Sequence, residues 1–65
     1  MRIETSPGES VNRVYLFLSE SEVRELRDTL SGMLAVESRE ERQSWHEHVA
    51  SDDYQVEVTV AWENA

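Results

Sequence analysis

Apolar and polar residues alternate without a break through residues 54–62, YQVEVTVAW, so that Tyr54, Val56, Val58, Val60 and Trp62 share one side. A period of two predicts a β-strand with one covered face. A different period runs through residues 20–36, where Val23, Leu26, Leu30, Met33 and Leu34 recur at steps of three and four. That spacing predicts an amphipathic helix. Ser19-Glu20-Ser21-Glu22 sets its start, because a serine hydroxyl can cap an early amide while the glutamate three residues on reaches back. Glu20 and Arg24 add a favourable pair four apart, and Gly32 costs about 1 kcal/mol relative to alanine inside the helix.

Before the helix, residues 13–18, RVYLFL, read as a strand built from β-branched and aromatic residues. Residues 2–5 give a short first strand, and Ser6-Pro7-Gly8-Glu9 supplies the turn of a hairpin between the two. After the helix, residues 37–43 form a charged connector and the pattern becomes ambiguous. Ser38 and Glu41 match a second capping box, and Trp45 and Val49 are four apart, which suits a short helix. The strand at 54–62 nevertheless needs a partner. The preferred reading pairs it with residues 44–49 across Ala50-Ser51-Asp52-Asp53, with a helical turn near 38–42. The resulting order is ββαββ: a small two-layer α+β domain over residues 1–65, with one amphipathic helix packed on one face of a mostly antiparallel sheet.

This layout leaves one feature uncovered. Residues 13–18 are apolar on both sides, with Val14, Leu16 and Leu18 facing one way and Tyr15 and Phe17 the other. One helix covers one face of a sheet, so the second set needs another cover. A loop or the 37–43 connector could supply it, and so could a homodimer or another protein. Tyr15, Phe17, Trp45 and Trp62 are the candidate interface residues, since Tyr and Trp often anchor interfaces; Trp62 can equally belong to the core.

Composition narrows the chemistry. Fourteen acidic residues against six basic ones give a formal charge of −8. Such a chain repels phosphate backbones, so direct nucleic-acid binding is not expected. An acidic inhibitor that mimics nucleic acid is one alternative, drawing on Glu20, Glu22, Glu25 and Asp28, although Arg24 and Arg27 interrupt that row. All the basic residues are arginine, as a GC-rich bacterial or phage coding sequence would produce. Cysteine is absent, which removes disulfides, thiolate metal sites and cysteine nucleophiles. No signal-like or membrane-spanning run is present, giving a cytoplasmic expectation.

The second alternative is a metal-binding module. His46 and His48 are two apart, so on a strand both rings leave one face, a geometry that suits zinc or copper. On a helix the pair would be about 200° apart around the axis and broken. Asp52, Asp53 and Glu57 are near in sequence, but no third ligand is fixed. Catalysis is not expected: there is no Gly-x-Ser-x-Gly elbow, and Gly8 and Gly32 form no phosphate loop. The sequence therefore points to a non-enzymatic, self-associating interaction module without a cofactor.

Overall fold

In the computed structural model, which describes residues 1–63, the chain folds as a small α+β domain. Strand β1 (Ile3–Ser6) turns into β2 (Glu9–Val11), followed by helix α1 (Glu20–Ala35) and a short helix α2 (Arg39–Ser44). Strands β3 (His46–Ala50) and β4 (Glu57–Ala61) close the chain as an antiparallel hairpin. Gly8 takes φ 85°, the left-handed conformation required after a turn proline, and this explains the tight β1–β2 connection.

The strand expected at residues 13–18 does not form. The partner of β1 is β2, reached directly from the Pro7-Gly8 turn, so the hairpin closes before Arg13. An irregularity between Glu4 and Ser6 leaves Thr5 outside the register. The single sheet expected from the sequence is accordingly two separate two-stranded sheets. Residues 13–18 lie between them and belong to no regular element.

The ambiguity over residues 38–49 resolves into both readings in succession. Ser38 caps α2 through the Glu41 amide, and the helix ends at Trp45, whose amide donates to the Glu41 carbonyl. The chain then straightens into β3 at His46. The closing strand is shorter than its alternating pattern. Tyr54 has φ 60°, which takes it out of the strand, and pairing begins at Glu57. Within β4 the alternation holds: Val58 and Val60 are half-buried while Glu57, Thr59 and Ala61 are exposed.

Helix α1 starts at the capping box read from the sequence, with both reciprocal bonds in place between Ser19 and Glu22. Its N-terminus is fastened to the β3–β4 connection, since both the Ser19 and Ser21 hydroxyls donate to the Asp52 carboxylate. At the other end, Arg42 stacks 3.9 Å over the Trp62 ring while its Nε donates to the Val36 carbonyl at 2.7 Å. One side chain thereby links α2, the end of α1 and the end of β4. Among the described residues Val49 alone is buried, at 7% exposure, so the covered core lies where β3 meets α1 and is very small.

Candidate functional site

Residues 14–18 form the dominant surface feature. Their exposures run 50, 71, 49, 91 and 40% from Val14 to Leu18, so the even positions are about half covered and the odd ones stand out. That period of two is what a β-strand with one covered face shows. Tyr15, Leu16, Phe17 and Leu18 border an apolar groove of about 230 Å³ lined also by Leu26, Val49, Val56 and Val58. Glu22 is the charged residue on its wall. Among the described residues, no backbone amide or carbonyl of residues 13–18 has a hydrogen-bond partner. The segment has the side-chain rhythm of a strand and the unpaired backbone of a sheet edge.

On the apolar side of α1, Leu26 reaches this groove, and Val23, Leu30 and Leu34 are also exposed. A folded monomer of 7.6 kDa exposes about 4,300 Å² of surface, whereas this chain exposes 5735 Å². Its radius of gyration is 12.7 Å, against about 10.7 Å for a compact domain of this length. Both comparisons describe a chain less compact than a folded monomer of its size.

The four aromatic residues singled out from sequence separate into two groups. Tyr15 and Phe17 are the most exposed residues of the uncovered segment, and both also touch the groove. Trp45 and Trp62 are half-buried and occupied elsewhere: Trp45 ends α2, and Trp62 lies beneath Arg42 with its indole Nε1 buried and unpaired. Sequence reasoning missed the contribution of Leu26, Val49, Val56 and Val58 to the groove, because their convergence depends on how the β3–β4 hairpin meets α1.

The histidine pair has the strand geometry expected of it. His46 and His48 face Ala61 and Thr59 across the ladder, with ring centroids 5.2 Å apart and edge to face. His48 Nδ1 lies 2.8 Å from both the Thr59 hydroxyl and a Glu57 carboxylate oxygen, and His46 Nδ1 lies 3.2 Å from the Ser44 carbonyl. These Nδ1 contacts orient the rings. Among the described residues no group of three or more potential metal ligands converges.

The acidic residues divide in a similar way. Glu25, Asp28 and Glu47 border a wide, open groove between α1 and β3 that also touches Trp45 and Gly32. Glu22 is committed to structure, and its backbone bonds to Ser19 and Asp52 hold its carboxyl below the usual value. Asp53 is likewise lowered, by the Ser51 hydroxyl and the Gln55 amide. Among the described residues no helix is long and apolar enough to cross a membrane. Comparison with protein families, with curated proteins and with solved structures finds no match to this chain.

Proposed function

We propose that this chain is a non-enzymatic protein–protein interaction module that self-associates through the surface carrying Tyr15 and Phe17. The observation that carries the reading is the run of five exposed apolar residues, Val14 to Leu18, whose backbone is unpaired. Large exposed apolar patches on small folded chains mark interaction sites. The area comparison supports the same reading: the excess of roughly 1,400 Å² per chain matches what each copy buries in an obligate homodimer. A cysteine-free domain of this kind needs no oxidising compartment, and the proposal places its action in the cytoplasm.

Sedimentation velocity over a concentration series tests the proposal. The expected result is a dimer whose dissociation constant rises by about tenfold or more in Tyr15→Asp and Phe17→Asp, since each puts a charge on the buried face. A chain that sediments as a monomer throughout would overturn it.

A further inference from the structure

We infer that residues 13–18 complete themselves as a β-strand by pairing antiparallel with the same segment of a second copy, about a two-fold axis at Leu16. The inference rests on the self-association proposed above and adds its mode and register. Two observations and a symmetry argument converge on it. The backbone of the segment is unpaired while its side chains already alternate between half-covered and open. A twofold-related copy offers every second open amide a carbonyl of the same segment, so one surface serves both sides. The excess exposed area, doubled for two copies, falls in the range of obligate homodimer interfaces, about 2,000–5,000 Å².

The register follows from the residues. Centred on Leu16, the pairing sets Tyr15 against the partner's Phe17 and Val14 against the partner's Leu18. The aromatic cross-strand pair then occurs twice on the open side, and aromatic pairs are among the more favourable in sheets. Leu16 and Leu18 stay at the groove formed with Leu26, Val49 and Val58. Arg13 falls opposite the partner's Ser19, beside the acidic start of α1 at Glu20 and Glu22. Among the described residues Arg13 makes no ion pair within its own chain. The contact therefore brings Arg13 at each end of the pairing near the partner's Glu20, which within its own chain pairs with Arg24. A shift by one residue would bring Tyr15 and Phe17 opposite aliphatic residues and break this correspondence.

The absence of native cysteine makes the register directly readable. In Leu16→Cys the two thiols should meet across the axis, and mild oxidation should cross-link it about tenfold faster than the exposed control Gln43→Cys. A mixture of Tyr15→Cys and Phe17→Cys chains should cross-link faster than either alone. In the unmodified protein, every second amide of residues 14–18 should gain hydrogen-exchange protection as concentration rises. A dimer with these amides unprotected and Leu16→Cys no faster than the control would overturn the strand pairing and leave self-association standing. A monomer at every concentration would overturn both.

Discussion

Glu22 and Asp52 hold the helix and the closing hairpin together through a reciprocal exchange. One Glu22 oxygen accepts from the Ser19 amide and the other from the Asp52 amide, each at 2.8 Å. The Asp52 carboxylate in turn accepts from the Ser19 and Ser21 hydroxyls. Two carboxylates are thus brought close, and each accepts from donors: Glu22 from two amides, Asp52 from two hydroxyls at the positive end of the α1 dipole.

The first prediction concerns pH. The folded-state pKa of Glu22 is lowered from 4.5 by the Ser19 and Asp52 amides, against the Asp52 charge, which raises it. A lowered carboxylate contributes stability that is present above its unfolded value and lost as pH falls through the folded one. Glu22→Gln retains a single acceptor oxygen, so one of the two amides loses its partner, and the titrating charge is gone. Urea denaturation between pH 6 and pH 3, at fixed protein concentration, should show the original chain losing stability relative to Glu22→Gln as the acid limit is approached. A constant difference across that range would exclude the clasp as a source of acid sensitivity.

Gly32 gives a prediction of opposite sign. It lies within α1 near the open groove, and a Cβ added there would meet nothing within 4 Å. Gly32→Ala therefore gains helix propensity without a steric cost. Thermal or urea denaturation should show stabilisation of about 0.5–1 kcal/mol. A loss of stability would mean that another molecule closely approaches this side of the helix in solution.

Tyr54 offers a second route to stabilisation. Its φ of 60° lies in the left-handed region, and the residue is 84% exposed. The strained backbone is held by the Tyr54 amide donating to the Ser51 carbonyl and by the Gln55 and Val56 amides donating to the Ser51 hydroxyl. Asparagine tolerates this conformation better than tyrosine. Tyr54→Asn should leave stability unchanged or raise it by up to about 1 kcal/mol despite removing an aromatic ring. A clear loss would show that the ring is covered in the assembled protein.

Arg42 is expected to be the most sensitive arginine. Its guanidinium stacks on Trp62 and donates to the carbonyl of Val36, the residue that caps the end of α1. Arg42→Ala should cost about 1–2 kcal/mol, and Arg42→Lys should recover less than half, because an ammonium lacks the flat face and fixed donor of the guanidinium. Tryptophan fluorescence during denaturation reads both variants.

The sequence carried the local signals most faithfully. The capping box at Ser19–Glu22, the Pro7-Gly8 turn and the period-two run through Val58 and Val60 each depend on residues a few positions apart, and each is found in place. What failed was the pairing of residues 13–18. Their composition is that of a strand, but strand composition does not name a partner, and the nearer residues Glu9–Val11 pair with β1. The histidine geometry was legible because a strand fixes which residues share a face, while a third ligand depends on tertiary approach and none converges among the described residues. The same limit hid the groove, whose walls come from the 13–18 segment, α1, β3 and β4 and the turn before β4.

The last prediction separates a second copy from a basic partner as the occupant of the Tyr15–Phe17 surface. Each chain carries a formal charge of −8, so two copies repel over distances comparable to the Debye length. Residues 14–18 are uncharged, and the repulsion arises from the surrounding acidic surface. The Arg13 contacts at the ends of the pairing offset only part of it. Raising ionic strength from about 0.05 M to 0.5 M shortens the screening length to a few ångströms and strengthens apolar association at the same time. The dimer dissociation constant should therefore fall by roughly three- to tenfold over that range. A complex with a basic partner would respond in the opposite direction, since salt screens the attraction that assembles it. Self-association that weakens with salt would mean that opposite charges, rather than the apolar segment, hold the two copies together.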